Sequence, residues 1–357
     1  MALTKIKTGS VSDSITLTTP DINGGTIDGT VIGGTTPAVA TFTTASDAAG
    51  NVRSGRKNLI INGGVTISQR GDYTTASTMV SNDVWVDRWK GAFSSITVNK
   101  QQTSVTIGGV TKKALKSIAT STNSAGYMGN YQTVELSAFQ AGSTYTISAW
   151  VRSNNSNARL RVNGFGNIGS ANSPTAHSGG GDWEKLTWTL SSTGINSYAS
   201  LWVIVYSDAG NVQVTSGDYI EVADYQLEVG SVATEFEHRS YGEELALCQR
   251  YYEVLTDPKF RGLEATSRTA QRMGVAFKTT KRANPSVTLV GTLQVFNGND
   301  VVTFGASNVV TTWVSIDTFE FDTDINHLTN SVAGKACVAY TYASGSPSAF
   351  LHVDAEL

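Results

Sequence analysis

Over residues 145–151 the chain reads Tyr-Thr-Ile-Ser-Ala-Trp-Val, with apolar and polar side chains in strict alternation. A period of two is the signature of a strand with one buried face, so Tyr145, Ile147, Ala149 and Val151 are expected inward, and Trp150 and Arg152 outward. Similar stretches follow at 159–163, 184–190 and 201–206, separated by turns rich in Gly, Asn and Ser. Short strands at this spacing predict a two-sheet sandwich. In 219–227 the apolar parity switches near Ala223, from Ile220 and Val222 to Tyr225 and Leu227. That switch predicts a bulge in the last strand. One stretch has helical spacing instead. Ser240 and Glu243 stand at the capping-box interval, Glu243 and Glu244 favour the helix start, and Leu245, Cys248, Tyr252 and Leu255 form a stripe. The helix is expected to run about four turns, over 241–256, and to stop at Asp257-Pro258 as the connector between two β-domains. Beyond it, strand-like stretches at 273–280, 286–290, 309–316, 336–342 and 350–354 predict a second small β-sandwich.

The first fifty residues follow another rule. Ile22, Ile27 and Ile32 recur every five residues, with Gly24, Gly25, Gly29, Gly33 and Gly34 between them. One apolar residue per short unit gives tiny extended segments joined by tight turns. This stretch holds no Trp or Tyr and only Phe42, so a single copy has almost nothing to bury. Its aliphatic residues can leave water only against identical copies. A flexible Gly/Thr linker is the alternative, but linkers seldom keep aliphatics in register. The reading adopted is an intertwined oligomeric β-stalk over residues 1–54, followed by a sandwich at 55–240, the helix at 241–256 and a C-terminal β-sandwich at 257–357.

Composition narrows the function. The 357 residues carry 26 Lys+Arg against 29 Asp+Glu, a net charge of −3, which lacks the concentrated positive field of a nucleic-acid binder. No apolar run approaches the roughly 18 residues a membrane-spanning helix needs. Lys5 and Lys7 are not followed by an apolar stretch, so no cleaved secretory leader is expected and synthesis in a cytosol is inferred. Cys248 and Cys337 have no metal-ligand spacing and are expected to be buried small side chains.

With these patterns in hand, the chain resembles a bacteriophage tail fibre or receptor-binding appendage. Residues 27–44 are similar to the glycine-threonine shaft of such fibres, and Asn58-Leu-Ile-Ile-Asn-Gly-Gly64 resembles the opening strand of a carbohydrate-binding-module-like jelly roll. Residues 224–231 and 234–239 resemble its closing strand, 241–253 the helix that often follows, and 350–357 the terminal strand of many fibre tips. The resemblance implies a homotrimer on the virion, attached through its N-terminus to a baseplate or tail protein. It also implies host contact through the distal domains, with a cell-surface glycan as partner. Three is the number of chains the family implies; the repeat alone does not fix it.

Sugar binding has a physical basis in the residues. An aromatic face stacks on the C–H side of a pyranose while guanidinium, amide and carboxylate groups bond its hydroxyls. Trp150 and Arg152 share the polar parity of one strand, and Trp183 enters another after Gly179-Gly180-Gly181-Asp182. These three are the candidate glycan ligands, against the alternative that Trp150 packs beneath a loop or a neighbouring subunit. Trp85, Trp89 and Trp188 are expected in the core. Jelly rolls of this type often carry a structural calcium between first and last strands, and Asp224 is the position that matches, although no acidic residue follows Asn62-Gly63-Gly64. An ordinary strand-bulge carboxylate is the competing role for Asp224. No other cofactor is implied. Catalysis is not expected: Asp182 with Glu184, and Asp322 with Asp324, are near neighbours outside any motif, and the four histidines are scattered. Two further readings remain beside the receptor-binding fibre, a structural adaptor and a polysaccharide depolymerase.

Overall fold

The computed structural model describes residues 46–47, 50–51, 57–135, 138–139, 142–165, 169–191, 198–206, 213–266, 270–298, 301–323, 335–340 and 349–356. Two compact units divide the chain, 1–45 and 46–357, and every described residue lies in the second. The expected stalk therefore lies outside the described residues, apart from the short antiparallel pair β1 (Ser46–Asp47) and β2 (Gly50–Asn51).

Two six-stranded antiparallel sheets follow. The front sheet holds β3 (Ser77–Thr78), β6 (Val98–Ile107), β7 (Val110–Ala119), β9 (Thr144–Ser153), β12 (Trp183–Ser191) and β14 (Tyr219–Val229), in the order β12-β9-β14-β7-β6-β3. The back sheet holds β4 (Val84–Val86), β5 (Trp89–Ser94), β8 (Tyr127–Glu135), β10 (Ala158–Phe165), β11 (Gly169–Ala176) and β13 (Tyr198–Tyr206), in the order β11-β10-β13-β8-β5-β4. From β9 onward the chain passes front, back, back, front, back, front, the weave of a jelly roll. The alternation read at 145–151 is realised: Tyr145, Ile147, Ala149 and Val151 are buried in the core between the sheets. Trp85 and Trp89 are buried there too, as expected, and Trp89 meets Tyr225 edge-on at 5.3 Å. Each large apolar side chain so removed from water contributes about 1.5–3 kcal/mol. Gly108 and Gly109, both at positive φ, make the tight β6–β7 turn. The bulge appears where the parity switch placed it, between Ala223 and Gln226, with Asp224 at φ +50°.

At the two ends of the jelly roll the expectations change. Residues 58–64 are not a strand but a run of bends and turns tied to β14: Leu59 N–H donates to Leu227 O (2.8 Å) and Tyr225 N–H to Gly63 O (3.0 Å). Nor does the helix reach residue 256. α1 spans Tyr241–Gln249, begun by Ser240, whose side chain accepts from Glu243 N–H. Tyr252–Thr256 is β15 instead, paired along its whole length with β23 (Ala349–Asp354). The stripe therefore breaks: Leu245 and Cys248 stay helical, while Tyr252 and Leu255 pack as strand residues, aromatic and branched neighbours there favouring the pleat.

The C-terminal domain adds β16 (Phe260–Thr266), β17 (Ala270–Ala276), β18 (Ser286–Phe296), β19 (Val301–Gly305), β20 (Val309–Val314), β21 (Thr318–Thr323) and β22 (Ala336–Tyr340). Its two layers are not separate sheets as expected. The first half of β18 pairs with β23 and the second half with β19 and β22, turning at Gly291, whose φ is +88°. One hydrogen-bonded sheet thus folds over a core of Phe260, Phe304, Phe321, Leu293, Leu351 and Val353. The cysteines are free and buried, Cys248 on the inward side of α1 and Cys337 in this core, and burial pushes the Cys337 thiol up to about 11.

Two arginines join the domains. Arg70 lies 3.5 Å over the Tyr252 ring and pairs with Asp354 (3.0 Å). Arg88 lies 3.5 Å over Tyr251, pairs with Glu356 and donates to Thr133 O (2.6 Å). Burial pushes the hydroxyls of both tyrosines up to about 12, so they stay neutral under the guanidinium groups.

Candidate functional site

Residues directly opposed across antiparallel strands point to the same face. On the front sheet Trp183 opposes Arg152, Arg152 opposes Glu221, Glu221 opposes Lys116 and Lys116 opposes Gln101. In the next row Lys185 opposes Trp150, and Trp150 opposes Ala223. Both rows carry the parity opposite to the core residues of β9, so they line the outer face of the sandwich. The structure thus brings Trp150, Arg152 and Trp183 onto one surface, each half-buried. Trp150 and Trp183 rest on a small apolar cluster of Val105, Ile107, Ala114 and Ala223, which fixes the rings from below.

Arg152 is held in place by chemistry. Its Nε donates to Glu221 Oε2 (2.9 Å), Nη2 donates to the same oxygen, and Thr103 Oγ1 donates to Oε1. Glu221 is 1% exposed, so its charge requires these partners. The guanidinium carbon sits 5.1 Å from the Trp183 ring centre, within cation–π range. The product is a pre-set aromatic and guanidinium surface. The far end of the same face is closed by residues 231–239. Thr234 N–H donates to Glu228 Oε1 (2.8 Å), Glu237 N–H to Gln226 Oε1 (2.9 Å), and Lys185 Nζ to Thr234 O (3.2 Å). The segment 234–239, read as part of a closing strand, is therefore a strap across the sheet. Where it meets the bulge a cavity of about 230 Å³ opens, lined by Thr66, Lys112, Lys113, Asp224, Phe236 and His238 among others.

Asp224 does not fit the calcium that the resemblance implied. Its carboxylate is bonded to the Lys112 ammonium. The opening segment supplies no carboxylate, and the Asn62 amide organises it instead. Asn62 Oδ1 accepts from Thr66 N–H (2.9 Å) and Ile67 N–H (3.0 Å), and Nδ2 donates to Ile67 O (2.8 Å) and Asp87 O (2.9 Å). Among the described residues no group of three or more His, Cys, Asp or Glu side chains is placed to hold a metal ion. The opening segment and β14 are joined by direct hydrogen bonds, which leaves Asp224 the bulge role.

Other candidates fall elsewhere. Trp188 packs against the main core, in keeping with its parity. Trp202, on the back sheet, stacks flat on Tyr131 at 4.2 Å, so that face of its ring is already used. Hydrogen bonds from Ser178 hold the Glu184 carboxyl below its ordinary value, the reverse of what a general acid requires. Asp322 is bonded through both oxygens to Arg272 (3.1 and 3.2 Å), and Asp324 lies outside the described residues. Sequence reading missed two features. One is the strap with Phe236 and His238, hidden in a motif taken for a strand. The other is Trp313 in the C-terminal domain, 43% exposed beneath Arg272 at 4.3 Å, whose outward parity in 309–314 was there to be read.

Fold and surface together define a mainly β protein with a jelly-roll sandwich whose open face carries aromatic and cationic groups. No protein-family model and no curated protein matches the chain. Among solved structures it is similar to the CBM22-1-CBM22-2 tandem domain from Paenibacillus barcinonensis Xyn10C, at 12% identity over 81% of this chain and 98% of that one, with a TM-score of 0.29. It is also similar to TmCBM61 in complex with beta-1,4-galactotriose, at 15% identity over 49% and 99% of the two chains, with a TM-score of 0.30. A third is the family 11 carbohydrate-binding module of cellulosomal cellulase Lic26A-Cel5E of Clostridium thermocellum, at 13% identity over 45% and 99%, with a TM-score of 0.27.

Proposed function

We propose that this chain is a non-enzymatic glycan-binding protein, and that its site is the outer face of the front sheet at Trp150, Arg152 and Trp183. One observation carries the reading: two tryptophans and a guanidinium fixed by a buried carboxylate are gathered on a solvent-facing sheet. Rings seated on an apolar cluster lose little freedom when a sugar stacks on them, so binding costs less entropy. Stacking on one such ring is worth about 0.5–1.5 kcal/mol, so Trp150→Ala should weaken glycan binding roughly two- to twelvefold. Titration calorimetry of the full chain against ligands found on a glycan array measures this. Loss of binding with Trp313→Ala but not with Trp150→Ala would move the site to the C-terminal domain and overturn the assignment.

In the same proposal the chain is a homotrimeric fibre of a phage virion, anchored by residues 1–54 and meeting the host surface with its two β-domains. The support is the five-residue aliphatic register of the N-terminal segment, which needs copies of itself to leave water. Weak sites suit such an assembly, because three copies on one shaft raise avidity without new contacts. Light scattering should give three protomer masses for the full chain and one for residues 55–357. A full-length monomer would refute the fibre.

A further inference from the structure

Resting on the platform reading above, we propose that the glycan recognised there is acidic, its sugar units carrying carboxylates. The uncovered part of the front face presents Lys112, Lys116, Arg152 and Lys185 against two carboxylates, Glu221 and Asp224. Both carboxylates are already spent, Glu221 on Arg152 and Thr103, and Asp224 on Lys112. Two cations, Lys116 beside the Glu221 already bonded to Arg152, and Lys185, form no ion pair among the described residues. The Lys116 ammonium lies 4.8 Å from the centre of the Tyr219 ring, and Lys185 bonds the Thr234 carbonyl.

The adjoining cavity repeats the pattern. Glu237 accepts from the backbone N–H groups of Lys57 and Asn58 (2.9 Å each) and pairs with Arg239. Glu244 accepts from Asn62 N–H (2.6 Å) and also pairs with Arg239. Lys113 bonds the hydroxyl of Ser104 and lies within electrostatic reach of the surface carboxylate Asp72, and His238 packs edge-on against Phe236. The sheet face and the cavity wall therefore offer donors and positive charge, while the carboxylates facing them, Glu221, Asp224, Glu237 and Glu244, are occupied. A neutral polyol needs acceptors as well as donors, because each hydroxyl is both. A sugar carboxylate accepts only, and it brings the charge that Lys116 and Lys185 lack. The sign of this surface is opposite to that of the whole chain, whose net charge is −3. Local charge of this kind is placed against the field of the molecule and works over a Debye length of about 8 Å at physiological salt.

The test uses the full chain with polygalacturonate, alginate and hyaluronate, each beside its carboxyl-reduced neutral counterpart, and with a panel of neutral glycans. At least one acidic polymer should bind at least about tenfold more tightly than its reduced form, and should lose most of that margin between low and high salt as screening shortens. Lys116→Gln with Lys185→Gln should weaken the acidic polymer about fivefold while lowering thermal stability only slightly, since neither ammonium is in an ion pair and glutamine can still donate to the Thr234 carbonyl. Equal affinity for acidic and reduced polymers overturns the inference. So does acidic binding that Trp150→Ala leaves untouched, which would be charge attraction alone. A neutral glycan bound in a Trp150-dependent, salt-independent way also overturns it while leaving the platform reading intact. Binding to no glycan of either kind overturns the platform reading itself.

Discussion

Gly63 marks the closest approach of the opening segment to the last strand, and here a single missing Cβ decides the geometry. A Cβ at this position would lie 2.2 Å from the Tyr225 carbonyl oxygen, a backbone atom that the bulge holds in place. Gly63→Ala should therefore destabilise the jelly roll by about 1–3 kcal/mol, the usual cost of overpacking, read as a lower denaturant midpoint. An unchanged midpoint would mean that the contact between opening and closing segments is dispensable. Its neighbour Asn62, at φ +57°, supplies from one amide the hydrogen bonds that hold the loop. Asn62 was read as part of an opening strand, although Asn before two glycines is turn chemistry. That its side chain organises the loop, and that Asp224 answers to Lys112, was not legible, because both depend on partners dozens of residues away. Trp150 is the opposite case. Its outward direction follows from period two alone, and Trp183 reaches the same surface only because β12 pairs with β9 in one particular register.

Among the elements, the strands with clean alternation were the easiest to read. β9, β12, β13 and the bulge in β14 follow from apolar parity, since a one-residue slip would turn every core side chain into water. The connector is where local signals misled. Ser240, Glu243 and Glu244 start a helix as their chemistry dictates, but nothing local ends it at Gln249. What ends it is β23, which offers Tyr252–Thr256 a full set of ladder partners. A helical stripe and a strand edge competed for the same residues, and the distant edge won. β16, β19 and β21 were likewise missed: Gly262 interrupts β16 between Arg261 and Leu263, β19 is only five residues long, and β21, though Phe319 and Phe321 alternate cleanly with Glu320 and Asp322, lies beyond the stretch read as 309–316.

For the whole molecule, the junction between the two β-domains sets how the described residues behave as a unit. Arg88 occupies the two-residue turn between β4 and β5 at φ +71°, a conformation that side chains other than glycine adopt at a cost. It is held there by Glu356, the Thr133 carbonyl and the Tyr251 ring. Arg88→Ala leaves Glu356 without that cation, and breaking a buried pair in this way costs about 3–5 kcal/mol. Unfolding should then separate into two transitions, the C-terminal domain melting first, with Trp313 reporting on it and Trp85 and Trp89 on the jelly roll. A single transition at the original midpoint would show that the arginine junction does not couple the domains.

By itself the sequence determined the β character, the inward and outward faces of the regular strands, the position of the bulge and the start of the helix, because each depends on neighbours within a few residues. It also set the five-residue aliphatic register of the first fifty residues. Only the tertiary structure decided that Trp150, Arg152 and Trp183 share one face and that Glu221 fixes the arginine. The same holds for the pairing of Asp224 with Lys112, for β18 serving both layers of the C-terminal domain, and for the early end of the helix. Strand register and long-range ion pairs arise from contacts between segments far apart in the chain, and no local pattern encodes which segments will meet.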